Sequence, residues 1–598
     1  MKKIISFFKD GKFEEILGCT AIALVILPVI INIINRSFLN KYSLNLESIA
    51  LLAYVWIGYG FFGYMYKKDA HVDVKFIVNK MSPGVRTVFD VLRDVLILAF
   101  AVYMTYWGVK LTMSNTARYV AGTKIPLAYG YASIAFGYFS GALSSLRVLC
   151  HRVYGLFNKK KEGRCSLMSG IEVWLPLILV FVLLAFRIPV CMAFIGGAVF
   201  FFGIIAPEMP LNVVLSKMVS GGMNMNLMAI PFFITAGLLM NYTGITTRMM
   251  KFADLLVGHM WGGLAQVNVL LSTLMGGLCG SSNADAAMQC KMLVPEMEKR
   301  GFNRAFSAGV TAASALISPM IPPGVMLILY ASITENSVLD MFMAGYLPGI
   351  LMCIVLMLAV NYVSHRDGYK PTREKRASFK EIMVGLVECF WAVVMIVVLI
   401  VGLRSGIVTA TEGGAVLCVL CIIVGAFIYK QLHWKDLLIV AKEAFASVTN
   451  VFGIIVSATV FGLYLTYAQI PQRITALFMT ITSSPIVFLL LVNLMLLIMG
   501  MLVDGAAVLM IAVPLLYPVA MQLGIHPIHF GIIFVLNLSI GGLTPPFGAT
   551  MYQCCNLCGI EIPDFLKQSK ELILALLVAL LFVTFIPGIS TLLPTLMK

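Results

Sequence analysis

Long apolar runs, broken by short polar or charged stretches, dominate the chain from end to end. In the first 165 residues the runs are clean. They predict four helical spans at about 16–35, 47–66, 87–109 and 127–150, each close to the ~20 residues that cross a hydrocarbon core. Ahead of them, Met1 to Glu15 mixes Ile4, Ile5, Phe7 and Phe8 with Lys2, Lys3, Lys9, Asp10 and Lys12. That is the pattern of a helix lying on a membrane surface, not of a cleaved leader. The basic run from Lys159 to Arg164 reads as a linker, so the domains expected are 1–165 and 166–598.

In the second domain the runs are interrupted by Gly, Pro, Ser and Asn. A charged loop from His365 to Arg376 divides it into parts of about 172–364 and 380–598. The two parts share landmarks in the same order. Gly280-Ser-Ser-Asn-Ala-Asp285, with Pro295 ten residues later, matches Gly500-Met-Leu-Val-Asp504, with Pro514 ten residues later. Ser318-Pro-Met-Ile-Pro322-Pro323-Gly324 matches Leu543-Thr544-Pro545-Pro546-Phe547-Gly548. Upstream, Gly237, Tyr242 and Ile245 match Gly462, Tyr467 and Ile470. Three pairs in register at offsets of 219–225 imply an internal duplication. Paired broken segments in two halves are the sequence mark of a transporter's binding site.

Composition supports this picture and narrows it. Of 598 residues, 60% are hydrophobic and 12% charged, the latter about half the charged share of a soluble chain. So much apolar sequence could supply about 15–18 spans of ~20 residues. A soluble enzyme on one anchor is excluded, as is a barrel of alternating strands. The net charge of +15 needs no nucleic acid. In the first domain Lys and Arg of alternate flanks sum to 15 against 5, which puts both its ends on the cytoplasmic side. The thirteen Cys mostly sit inside apolar runs. Even Cys554, Cys555 and Cys558 lack a second CxxC or a nearby His, so packing is the expected role.

Two carboxylates stand out. Asp285 is the only Asp, Glu, Lys or Arg between Asp254 and Lys291, and Asp504 the only one between Arg473 and Glu561. An ionised carboxylate at membrane depth needs a cavity, an ion or a partner. Each could help bind a cation or cap a helix N-terminus. Pro322-Pro323 and Pro545-Pro546 cannot continue an α-helix, and the carbonyls they release must be satisfied by buried protein, water or an ion. Na⁺, a hard cation held by backbone and side-chain oxygens, suits such a place. The tip 280–285 is expected to meet 318–324, and the tip at 504–505 to meet 541–548. Two cation sites would then flank a central pocket, whose inward half-helix N-termini favour an anionic substrate. Thr409-Ala-Thr411-Glu412 is a third polar island, expected to be structural, and His526 and His529 are expected at a loop.

These residues carry a resemblance. The second domain resembles the large membrane subunit of tripartite ATP-independent periplasmic (TRAP) transporters. The matching stretches are Leu227 to Phe233, Gly244-Ile245 with Arg248, Gly258-His259 with Gly262-Gly263-Leu264, Gly280 to Pro295, Ile321-Pro322-Pro323, Thr409 to Glu412, and Leu543 to Pro546. The first domain, through His71-Val72-Asp73 and Thr123 to Pro126, resembles the family's four-span small subunit.

The resemblance implies an all-α polytopic protein of the bacterial inner membrane. It implies a four-span domain that braces an elevator-type domain with inverted repeats and re-entrant hairpins at 265–295 and about 498–520. It further implies Na⁺-coupled uptake of an organic acid, such as sialic acid or a C4-dicarboxylate, delivered by a periplasmic binding protein. At least two Na⁺ sites would draw on Ser281, Ser282, Asn283, Ser318, Pro322, Gly324, Asp504, Gly505, Gly541, Thr544, Pro545 and Gly548. Substrate would lie near Ser281, Asn283, Pro323, Gly324 and Asp504. Many relatives carry Ser after the first Pro-Pro, where this chain has Gly324. A carrier working without a binding protein is the alternative. A membrane enzyme is disfavoured, because no nucleophile–base set and no P-loop is present.

Overall fold

The computed structural model describes residues 12–39, 43–60, 83–116, 118–120, 123–153, 174–186, 188–206, 211–546 and 548–596. The surface helix expected before residue 12, His71 to Asp73 and the linker at 159–164 lie outside them. The described residues form helices without β-strands, joined by short connections. Among the described residues eight helices are long and apolar enough to cross a membrane, or up to ten if each of two bent pairs counts as one span. The chain is therefore a polytopic helical membrane protein.

The first four helices match the first four apolar runs: α1 (Lys12–Leu39), α2 (Leu44–Gly60), α3 (Pro83–Ser114) and α4 (Ala128–Val153). α1 shows why these are spans. Ala21, Ile22, Val25 and Val29 are buried, while Leu24, Leu27, Ile31 and Ile34 on other faces are exposed. A helix apolar all round has no face for water. Asn32 closes the α1–α2 turn by pairing with both backbone groups of Ser43, at 2.9 and 3.0 Å. Gly108 lets α3 approach the Ala135 backbone of α4.

The chain packs as two compact units. One comprises residues 1–228 with 441–471, the other 229–440 with 472–598. In the first, α1 and α2 lie against the long helix Trp434–Tyr467, where Gly18 faces Phe445. Thr449 Oγ1 donates to the Ile57 carbonyl at 3.2 Å. Phe452 takes Tyr54 and Tyr59 edge-on at 4.6 and 5.6 Å. Gly58 leaves the room that Phe452 fills.

The second unit holds the broken segments. There α5 (Gly263–Cys279), α6 (Ser282–Met292), α7 (Arg304–Ala315) and α8 (Val325–Thr334) belong to the first half of the duplication. Their counterparts are α9 (Pro485–Leu502), α10 (Gly505–Gln522), α11 (Pro527–Gly541) and α12 (Ala549–Cys558). Helices starting at 263, 282, 304 and 325 thus recur at 485, 505, 527 and 549, which is 222–224 residues later.

The correspondence reaches beyond the sequence matches. Helices end at Tyr242 and Tyr467 and restart at Ile245 and Ile470. A π-helical turn at Phe201–Ile205 recurs at Val424–Ile428. The charged loop 365–376 is largely exposed, and Tyr369 within it stacks on Phe302 and Phe306 at 4.5 and 5.3 Å.

Candidate functional site

Each half builds its part of the site from a helix–turn–helix tip and a proline-broken helix. α5 ends because Gly280 takes a left-handed conformation, φ +62°, which a residue with a Cβ adopts only at a cost. Ser281 is extended at the N-cap of α6. In the second half α9 ends at Leu502, and Asp504 is the N-cap of α10, its Oδ1 accepting from the Ala506 N–H at 3.1 Å. These two tips fall within the ranges expected for hairpins.

The broken helices explain the prolines. α7 stops at Ala315, and Leu316 to Gly324 is irregular before α8. α11 stops at Gly541, and the break runs to Gly548 before α12. Both Pro-Pro peptide bonds, 322–323 and 545–546, are cis. In the second break the released Gly542 carbonyl accepts from the N–H groups of Thr550 and Met551 at 3.0 and 3.2 Å. The Gly541 carbonyl accepts from the N–H and hydroxyl of Thr544 at 3.1 and 3.0 Å.

Tip and break meet in both halves through the same bond. Val325 N–H donates to the Gly280 carbonyl at 3.3 Å, and Gly548 N–H donates to the Met501 carbonyl at 3.4 Å. No side chain fits at these crossings. A Cβ on Gly280 would run into the Pro323 carbonyl, and one on Gly541 would lie 2.7 Å from the Gly500 backbone. The halves also touch each other: Thr550 Oγ1 donates to Asn283 Oδ1 at 3.0 Å, and Gly505 lies against Met326 at the start of α8. Ser281, Ser282, Asn283, Asp504 and Gly505 are half-buried. Ser318, Pro322, Pro323, Gly324, Gly541, Thr544 and Gly548 are buried, and Pro545 is exposed. The residues named from sequence on 280–283, 318–324, 504–505 and 541–548 thus gather into two tip–break junctions.

Asp285 is neither a cap nor a residue of the open tip. It is 1% exposed. Its Oδ1 accepts from Gln289 Nε2 at 2.7 Å and its Oδ2 from Ser318 Oγ at 2.9 Å. Gln289 Nε2 also reaches Ser272 Oγ at 2.6 Å, and Ser272 donates to Ser314 at 3.0 Å. Ser314 donates to Asn268 Oδ1 at 2.8 Å, and Asn268 Nδ2 donates to Thr311 Oγ1 at 2.7 Å. Five side chains beyond Asp285 and Ser318 thus tie α5, α6 and α7 together below the tip. The second half carries a shorter chain: Asn537 donates to Asn493 at 2.7 Å, which donates to Thr584 at 2.9 Å.

Sequence reasoning missed Gln289, Asn268, Ser272, Ser314, Thr311 and Asn493. For Asn268, Ser272 and Gln289 the signal was present as polar residues four apart inside apolar helices, 268 with 272 and 285 with 289.

Other expected residues sit apart from the junctions. Thr409 and Glu412 form a capping box, with Thr409 N–H donating to Glu412 at 2.8 Å and Glu412 N–H to Thr409 Oγ1 at 3.3 Å. His526 is an N-cap, but His529 is inside α11 and not in a loop. It is buried, its Nδ1 2.6 Å from Ser590 Oγ. Cys290 of α6 and Cys554 and Cys558 of α12 are buried free thiols near one another, a proximity no spacing in the sequence announces. Among the described residues no group of three or more His, Cys, Asp or Glu is arranged to hold a metal ion. The polar groups at the junctions are instead hydroxyls, an amide and backbone carbonyls, with Asp504 the one carboxylate at a tip.

Residues 177–589 match the family model described as "Tripartite ATP-independent periplasmic transporter, DctM component", and residues 25–158 match the DctQ component of the same transporters. The chain is 36% identical over 388 residues to the sialic acid TRAP transporter large permease protein SiaM of Vibrio cholerae, covering 64% of this chain and 90% of that one. It is 32% identical over 447 residues to the sialic acid TRAP transporter permease protein SiaT of Haemophilus influenzae, covering 75% and 71%. It is 35% identical over 368 residues to the C4-dicarboxylate TRAP transporter large permease protein DctM of Pseudomonas aeruginosa, covering 62% and 86%.

Proposed function

Because the chain belongs to the TRAP transporter family, with the DctQ and DctM components joined in one polypeptide, we propose that it imports an organic acid anion into the cell. It is a permease and not an enzyme, as its relatives are. The substrate class is a carboxylate such as sialic acid or a C4-dicarboxylate, the cargoes named for its relatives, and a periplasmic binding protein delivers it. Uptake is driven by Na⁺ bound at the two tip–break junctions, in the inner membrane.

The observation that carries this reading is the repeated junction itself. Two half-helices, α6 and α10, begin at the tips, and their N-terminal N–H groups favour an anion beside them. The cation sets are Ser281, Ser282, Asn283, Ser318, Pro322 and Gly324 in one half, and Asp504, Gly505, Gly541, Thr544, Pro545 and Gly548 in the other. Asp504 uses one carboxylate oxygen as cap, which leaves the second for an ion. Substrate lies between them, near Ser281, Asn283, Pro323, Gly324 and Asp504. The division of the chain into two compact units supports an elevator in which the unit holding both junctions moves as a body.

The test is melting temperature in detergent, titrating Na⁺ against K⁺ at constant ionic strength. An ion that binds only the native state stabilises it by mass action. A saturable rise with Na⁺ alone, and Na⁺-dependent uptake in proteoliposomes only when the binding protein is present, are expected. Equal response to Na⁺ and K⁺ would reject the coupling. Uptake without the binding protein would favour the self-sufficient carrier.

A further inference from the structure

Away from the junctions, the second unit holds a cavity of about 800 Å³. Its walls come from the helix Ile245–Val257, the N-terminal end of α5, the end of α6, the loop around Thr372, and the helix Phe379–Glu388. The last of these fixes its depth. Phe379–Glu388 follows the charged loop 365–376 and meets the apolar helix Phe390–Arg404 at a 68° bend. Its apolar residues Phe379 and Val387 are 77% and 72% exposed, and along the next helix Val393, Val397 and Val401 are exposed too. A short helix between a water-borne loop and a span, crossing that span steeply, lies along the membrane surface. The cavity behind it is therefore at headgroup level.

Its lining is amphiphilic. Met250, Leu264, Val267 and Val384 form apolar wall. Four cations (Lys251, Arg300, Arg373, Lys380) and four carboxylates (Asp254, Glu296, Glu381, Glu388) line the remainder, so the rim is neutral overall. Arg373 is shared between Asp254 and Glu381, and Arg300 faces Glu296, all at 3.8 Å. Among the described residues Lys251, Lys380 and Glu388 form no ion pair. These three are exposed at the rim, whereas two wall atoms, Asp254 Oδ1 and Thr372 Oγ1, are buried without a hydrogen-bond partner. Burying such groups unpaired is costly, and a cavity with spare cations and spare acceptors suits a ligand carrying both charges.

We propose that this cavity binds a phospholipid with a phosphate and a primary ammonium in its headgroup. The phosphate lies between Lys251 and Lys380, the ammonium toward Glu388, and an acyl chain along Met250, Leu264 and Val384. A primary ammonium brings three N–H donors, which a quaternary ammonium lacks. That difference separates this headgroup from phosphatidylcholine, which carries the same charges. The lipid would join the surface helix to the Ile245–Val257 helix and stabilise the second unit.

The experiment is thermal unfolding of the purified, delipidated full chain, titrated separately with dioleoyl-phosphatidylethanolamine, -phosphatidylcholine, -phosphatidylglycerol and inorganic phosphate. Native mass spectrometry counts retained lipid. A saturable rise in melting temperature with phosphatidylethanolamine, at least about tenfold tighter than with the other two lipids, is expected, tenfold being ~1.4 kcal/mol. The Lys251→Gln/Lys380→Gln variant should melt at the wild-type temperature without lipid and lose that preference. Glu388→Gln should bind phosphatidylethanolamine and phosphatidylcholine alike. Equal response to all three lipids, the full response with inorganic phosphate alone, no response, or a wild-type response in the double Lys variant would each overturn the proposal. None of these readouts involves Na⁺ or uptake, so the result stands apart from the transport reading.

Discussion

The two tip–break junctions share a backbone and differ in chemistry. Both pair a post-break N–H with a tip carbonyl, at 3.3 Å in one half and 3.4 Å in the other. In the first half the carboxylate, Asp285, is sealed beneath the tip among Gln289, Ser318 and the Ser272–Ser314–Asn268 chain. In the second, Asp504 is at the tip, half-buried, and holds one backbone N–H. The duplicated backbone sets where the junctions are. The position of one carboxylate decides whether a junction is braced from beneath by side chains or capped at its tip.

That contrast can be broken from its strongest side. Asp285→Ala would leave Gln289 and Ser318 without their acceptor, deep in the unit, and should destabilise the protein by about 3 kcal/mol. Thermal unfolding in detergent measures it, and a loss comparable to a surface substitution would refute the brace. Gly280→Ala should follow, at about 2 kcal/mol or more, since it strains a left-handed residue and forces a methyl onto the Pro323 carbonyl. Asn493→Ala removes the centre of the shorter chain, and ~1.5 kcal/mol is expected. A cost above that of Asp285→Ala would reverse the ranking of the two halves.

The smallest stability effect belongs to Asp504→Asn. Asn caps as well as Asp, so melting without Na⁺ should move by less than ~0.5 kcal/mol. The Na⁺ concentration for half-maximal stabilisation should nonetheless rise about tenfold or more, a cost of ~1.4 kcal/mol in binding. A mutant whose Na⁺ response matches wild type would assign Asp504 to capping alone.

Comparison of the halves also shows what could be seen beforehand. Tyr242 and Tyr467, or Pro322-Pro323 and Pro545-Pro546, are legible because a helix stop or a Pro-Pro leaves a local mark wherever it occurs. The π-helical turns at Phe201–Ile205 and Val424–Ile428 leave no such mark, because apolar residues there continue a helical pattern.

The places of the described helices in the first domain, the duplication, the four breaks and the two lone carboxylates follow from the linear chain, since each depends on hydrophobic length, proline geometry or the cost of a charge in hydrocarbon. Three things were decided only by folding: Asp285 meeting Ser318, thirty-three residues away, Asn283 meeting Thr550 across the two halves, and Lys251 coming to share a cavity with Lys380. Such meetings depend on which helix faces pack together. In an all-apolar bundle no alternation of polar and apolar residues along the chain records that choice, so it becomes visible only when the helices are placed in space.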